Sequence, residues 1–351
     1  MLVVSVDPPP ERPLASVSRH LRLPVWPVAG GVAGWASEAV GLTGLSRAME
    51  RRFGGRVTPM QLPTAACDPF LMVVHHRHTF SPWDPLRPLS AMVLPEGFPA
   101  HPHRGFETVT YVLEGGMRHR DSVGAKMTYR SGSVQWLTAG SGVLHEEMWE
   151  RGVRKQELYQ IWVNLPRAHK WDAPEIQLLG PADVEGEGIR QAPLPVGEPD
   201  GVRLTVLAGS CNGVTSPVRT RSPLALVRVE WPAPGDFVWD ELPSAHTALF
   251  FVRSGSVDVA GGTVGAGELA IFARGADLPA RIRLTARSAD TDVLLLTGAP
   301  LGEPVAMSGS MVMNTAAEVE QADRDMRAGV FGAGWSHAAS DAEWRATLRR
   351  R

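Results

Sequence analysis

Apolar residues in this chain arrive mostly as short runs rich in β-branched and aromatic side chains, each closed by glycine or proline. Residues 108–113 end at Glu114-Gly115-Gly116, residues 134–137 follow Gly132, and residues 158–163 close at Asn164-Leu165-Pro166. Runs bounded in this way predict strands. Ala91-Met92-Val93-Leu94, running into Pro95, predicts one more. A second series covers residues 202–207, 224–231, 247–252, 257–259, 269–272 and 293–296. Its stretch from Phe250 to Val257 resembles Tyr111 to Met117, and Gly265 to Ala270 echoes Ser131 to Gln135. The two blocks read as diverged copies of one strand-turn pattern.

Helical spacing is confined to the flanks. Leu42, Leu45 and Met49 fall near a helical period within 36–49, and Arg51-Arg52 with Gly54-Gly55 supply a stop. Near the other end, Thr315 and Glu318 make a capping box for a helix that reaches Ala328 and stops at Gly329. Prolines and acidic residues between Gly180 and Asp200 predict a linker. The expected organisation is a variable extension (1–55), a first β block (56–190), a second (201–305) and a tail with a helix (306–351).

Composition narrows the classes of function. At 351 residues the chain can hold two domains, and 44% hydrophobic with 21% charged residues is a globular balance. A formal net charge of -2 carries no polyanion signature, so direct nucleic-acid binding is not expected. The two cysteines, Cys67 and Cys211, stand in no metal-type spacing. No apolar stretch is long enough for a membrane span. The apolar start from Met1 to Val6 ends at Asp7-Pro8-Pro9-Pro10, too soon for a secretory signal, so a cytoplasmic location is expected.

The chemistry lies in two short pairs, His101-Pro102-His103 and His145-Glu146-Glu147, each spaced i, i+2 beside a strand signal. Side chains two apart on a strand share a face. Two such strands facing each other across a barrel would present His101, His103, His145 and Glu147 to one cation, while Glu146 points the other way. Three imidazoles and a carboxylate suit a borderline first-row metal such as iron, hence redox or oxygen chemistry, although Mn, Ni, Cu or Zn would also be accepted. Glu107 keeps the parity of His101 and His103 if the strand runs straight, which makes it a further ligand or a partner of a ligand histidine. His75-His76-Arg77-His78 reads as a solvated strand end, and His119 as a structural hydrogen-bonder. There is no nucleophile elbow, phosphate-cradling loop or paired catalytic Cys and His.

These residues resemble the pirin family of the cupin superfamily. The resemblance rests on Asp68-Pro69-Phe70-Leu71-Met72, on the string from His101 to Tyr111, and on His119-x-Asp121-Ser122-x-Gly124. It continues through Gln135-Trp136-Leu137-Thr138-Ala139-Gly140-x-Gly142, His145-Glu146-Glu147-Met148, Trp162-Val163-Asn164-Leu165-Pro166, Gly302-Glu303-Pro304 and Val312-Met313-Asn314-Thr315. It implies an all-β fold of two tandem cupin (jelly-roll type) β-barrels with short accessory helices. It also implies one iron(II) in the first barrel, held by His101, His103, His145 and Glu147, and a metal-free second barrel. Glu107 is not a ligand in the resembling family.

The activity implied is that of a quercetin 2,3-dioxygenase, with a flavonol-like small molecule and O2 as substrates and Glu147 as catalytic base. The alternative implied is a non-enzymatic iron protein whose redox state governs binding to a protein partner. The first fifty or so residues match nothing in the family, and the family usually carries acidic residues where this chain has 75–78.

Overall fold

The structure, a computed structural model, describes residues 10–23, 36–46, 48, 54–81, 87–88, 92, 94–181, 185–187 and 189–348. It divides into two compact units, one of residues 21–64, 69–194 and 301–351, the other of residues 1–20, 65–68 and 195–300. Strand β1 (Leu14–Arg19) belongs to the latter.

The unit that carries both histidine pairs contains β2 (Gly55–Gln61), β3 (Phe70–Thr79), β4 (Gly97–His103), β5 (Phe106–Glu114), β6 (Gly116–Asp121) and β7 (Lys126–Arg130). It continues with β8 (Ser133–Thr138), β9 (Val143–Trp149), β10 (Lys155–Asn164), β11 (Glu175–Leu179), β12 (Glu185–Glu187) and β13 (Arg190–Ala192). One sheet runs β13-β11-β8-β5-β10-β3-β2 and the other β12-β7-β6-β9-β4. The strands pair antiparallel except β11 with β13. Every residue of β8 and most of β5 and β10 are buried, as strands covered on both faces must be. β4 is the last strand of its sheet, so it has one ladder neighbour, β9. An edge position is also where Pro102 costs no ladder bond.

The other unit contains β14 (Val196–Gly197), β15 (Arg203–Ala208), β16 (Ser210–Cys211), β17 (Val214–Thr215), β18 (Leu224–Trp231) and β19 (Gly235–Trp239). It adds β20 (Thr247–Ser254), β21 (Ser256–Val259), β22 (Gly262–Gly265), β23 (Glu268–Phe272), β24 (Ile282–Ala286) and β25 (Thr291–Gly298). Its sheets run β1-β23-β20-β25-β18-β15-β14 and β19-β24-β21-β22. The hydrophobic core here is built around Trp231, Phe237, Trp239, Phe250, Phe272 and Leu284. Each such side chain contributes about 1.5–3 kcal/mol on burial.

The repeat seen in the sequence has a geometric counterpart. Gly132 N–H donates to Val112 O at 2.8 Å, and Gly267 N–H donates to Val252 O at 2.8 Å. The neighbouring bonds match as well, Ser131 N–H to Gly115 O at 3.1 Å and Ala266 N–H to Gly255 O at 3.0 Å.

The chain ends in the hairpin β26 (Ala306–Ser308) and β27 (Met311–Met313), then helices α1 (Ala316–Arg327) and α2 (Asp341–Leu348). Thr315 caps α1 as expected, with the reciprocal bonds to and from Glu318 present.

Four expectations change. Met92 is helical and Leu94 lies in a bend, with Ala91 and Val93 outside the described residues, so the strand begins only at Gly97. The single helix over 36–49 is two helical turns, 36–39 and 43–46, because Gly41 takes a positive φ of 81° between them; Met49 and Arg51-Arg52 lie outside the described residues. The linker segment pairs into the sheets, β12 on β7 and β13 on β11. And β1, within the segment read as an extension, pairs with β23.

Candidate metal centre

β4 and β9 bring the two histidine pairs together. In their register His101 lies opposite His145 and His103 opposite Val143, with a bulge between Phe98 and His101 that shifts the strand's phase. The three imidazoles form a near-equilateral group, with ring centroids 4.4, 4.6 and 4.6 Å apart. One nitrogen from each lies within 4.8 Å of the others, and this is the metal-capable group of three or more among the described residues. His103 and His145 are fully buried and His101 partly so.

Burial holds all three imidazoles neutral. It lowers the pKa of His101 against the opposing pull of the Pro99 carbonyl and Glu147, and pushes His103 and His145 well below the ordinary value of 6.5, where neighbouring histidines add repulsion. The proton positions follow from the partners. His101 Nδ1–H donates to Pro99 O at 2.8 Å, which leaves its Nε2 lone pair facing the group. His145 Nε2 stands 3.1 Å from that lone pair, and His103 Nε2 is buried without a hydrogen bond. Desolvated, neutral imidazole nitrogens converging on one point are the donor set a first-row divalent ion takes. The residues fit a metal.

Glu147 follows His145 on the same face of β9 and is fully buried, but its carboxylate stands outside the 4.8 Å group. Its Oε1 accepts from Thr110 Oγ1 at 2.8 Å, Tyr129 Oη at 2.6 Å and Gln135 Nε2 at 3.0 Å. Its Oε2 accepts from Gln160 Nε2 at 3.1 Å. The Tyr129 phenol is pushed well above its ordinary pKa by burial and by this carboxylate, so it stays a donor. Sequence reasoning missed these four partners, although Thr110 and Gln135 lay within recognised motifs. Glu146 points the other way and pairs with Arg120 at 2.6 Å, as strand alternation requires.

Around the histidines stand Phe106 and Trp162, with ring centroids 4.9 and 5.7 Å from His103. His119 Nε2–H donates to Asp121 Oδ2 at 3.2 Å, and its ring packs 5.4 Å from that of His145. Two expectations fail here. Glu107 bonds no ligand histidine: the chain turns at Arg104-Gly105, and on β5 its carboxylate accepts from Trp136 Nε1 at 3.0 Å and Thr138 Oγ1 at 2.6 Å. His76 and His78 are not solvated but buried, 3.4 Å apart, and packed on Trp149.

A family profile described as pirin matches residues 51–163, and one described as the pirin C-terminal cupin domain matches residues 228–332. This chain belongs to the pirin family. Among curated pirins, Pirin-1 of Arabidopsis thaliana is 35% identical over 262 residues, 74% of this chain and 81% of that protein. Pirin-like protein 2 of the same plant is 37% identical over 244 residues, 68% of this chain and 72% of that protein. The crystal structure of a quercetin 2,3-dioxygenase from Acinetobacter baumannii superposes with a TM-score of 0.69 at 27% identity, covering 92% of this chain and 99% of that one. The pirin fold of two cupin-type barrels therefore holds for this chain. No helix among the described residues is long and apolar enough to cross a membrane.

Proposed function

We propose that this pirin is a metal-dependent dioxygenase acting on flavonols or related enols, with iron(II) held by His101, His103, His145 and Glu147. The observation that carries the reading is the convergence of three neutral, desolvated imidazoles beside a buried carboxylate. Likeness to a quercetin 2,3-dioxygenase supports the choice of reaction. Bound iron would bring O2 and the substrate's enolate within reach of one another and supply the redox change of ring cleavage.

The protein's own part is to move one proton. A carboxylate oxygen accepts about two hydrogen bonds comfortably. Oε1 of Glu147 already takes three, whereas Oε2 takes one. Oε2 is therefore the oxygen left to hold the metal and, when loosened from it, to accept the substrate's hydroxyl proton. Thr110, Tyr129 and Gln135 hold Oε1, fixing the carboxylate while Oε2 works. Phe98, Phe106 and Trp162 keep the surroundings of the histidines apolar, which favours a flat aromatic substrate.

The test is oxygen uptake with quercetin by protein loaded with iron anaerobically. Turnover in the wild type, with Glu147→Gln retaining much of its iron yet inactive, supports the reading. A wild type that holds iron and consumes no oxygen with any flavonol refutes the enzymatic assignment.

A further inference from the structure

β4, which supplies two of the three histidines, is an edge strand with one ladder neighbour and a bulge just before His101. Such a strand is a poor foundation for a site needing sub-ångström placement. The structure supplies a second support from the far end of the chain. Ser310 Oγ donates to Pro102 O, between the two ligands. Arg104 N–H donates to Ser310 O at 3.2 Å, and Val312 N–H donates to Arg104 O at 3.0 Å, so the β26–β27 hairpin covers the edge directly after His103.

Buried side chains lock the same junction. Arg104 donates through Nε to Ser141 O at 2.6 Å, at the approach to β9 and His145, and through Nη1 to Asp325 of α1 at 2.7 Å. Its guanidinium lies 4.5 Å from the Phe331 ring. Lys170 Nζ ties Gly105 O, Val312 O and Asn164 Oδ1 together at 2.7 to 3.0 Å. Gly105 has a φ of 81°, and a Cβ there would stand 1.9 Å from Val312 O. The contact is tight enough to transmit a displacement of the tail to the ligand strand.

We propose that residues 306–331 are a working part of the metal centre: Ser310 and Asp325, acting through Pro102 and Arg104, are positioning residues that set the spacing of His103 and His145 and thereby the affinity for metal. This rests on the metal reading above. By linkage, metal loading in turn tightens the docking of the tail. Neither residue touches the metal, so their effect is one of geometry.

Cobalt(II) alone is the probe, since its visible absorption reports coordination geometry as well as occupancy. The full-length Ser310→Ala/Asp325→Ala protein should bind cobalt(II) about 10- to 100-fold more weakly than wild type, the range typical for lost outer partners. Its cobalt spectrum should be altered, and Asp325→Glu should restore both. Affinity within twofold of wild type and an unchanged spectrum, whatever happens to the thermal midpoint, would overturn the proposal. Should the double variant fail to fold, hydrogen exchange of the wild type still decides. Slower exchange at Arg104 and Val312 on adding cobalt(II) supports the coupling, and unchanged exchange refutes it. A wild type that takes up no cobalt(II) or iron(II) sinks the metal reading itself; normal uptake with indifferent variants sinks only the tail's role.

Discussion

In the first barrel β4 and β9 pair with His101 opposite His145, and Glu147 follows on the same face. In the second barrel β19 and β24 pair at the same edge of the corresponding sheet, with Phe237 opposite Leu284 and Trp239 opposite Ile282. All four are buried in the apolar core. One strand frame thus supports two opposite interiors. Where the inward positions carry imidazoles and a carboxylate, the barrel has to recruit Thr110, Tyr129, Gln135 and Gln160 to satisfy the carboxylate alone. Where they carry large hydrocarbons, packing alone suffices. The first barrel gives up apolar burial for a site, and the second keeps it for stability.

The sharpest way to test this contrast is to remove one member from each side. His103→Ala should weaken metal binding by well over the roughly 100-fold that an outer partner costs, measured by competition with a chelator. Phe237→Ala in the second barrel should leave metal content unchanged and cost about 3–5 kcal/mol in denaturant unfolding. Loss of metal from the second variant, or its retention by the first, would erase the distinction.

A smaller effect is expected at Tyr129, which donates to a buried carboxylate. Tyr129→Phe should destabilise the metal-free protein by about 1.5–3 kcal/mol, the range for a bond to a charged group. A change below that range would mean the phenol contributes little to holding Glu147.

The smallest effect, per step, is that of pH. His76, His101, His103 and His145 all have folded pKa values below the ordinary 6.5. Their neutral forms are what the fold accommodates, so the unfolded chain takes up protons first. The metal-free protein should hold full stability above pH 6.5 and lose at most about 1.4 kcal/mol per pH unit for each such histidine as pH falls below it. The two histidines described in the other unit, His20 and His246, have lowered pKa values as well but are only partly buried, and neither is pushed well below the ordinary value. Hydrogen exchange should therefore rise in β9 before β20 as the pH is lowered; a simultaneous rise would contradict this.

The histidine group of the candidate site was legible because strand parity is a local property. Two residues of spacing put His101 with His103, and His145 with Glu147, and turned Glu146 away, without knowledge of the partner strands. The α1 cap was legible for the same reason, and Ser340 with Glu343 carried a second such signal, now seen opening α2, that went unread. What stayed hidden depends on pairing across the chain. The turn at Gly105 broke the parity that linked Glu107 to His101 and His103. Burial of His76 and His78 is decided by Trp149 and Phe98, on distant strands. The return of Ser310 to Pro102 spans 208 positions, and no local pattern announces it.

Metal analysis of anaerobically purified wild type beside a His101→Ala/His103→Ala/His145→Ala variant bears most directly on the central claim. The account predicts one first-row metal ion per wild-type chain and none in the variant, with the variant still folded by its second barrel's signals. A metal-free wild type that also refuses added iron, or a variant that keeps its ion, would contradict it.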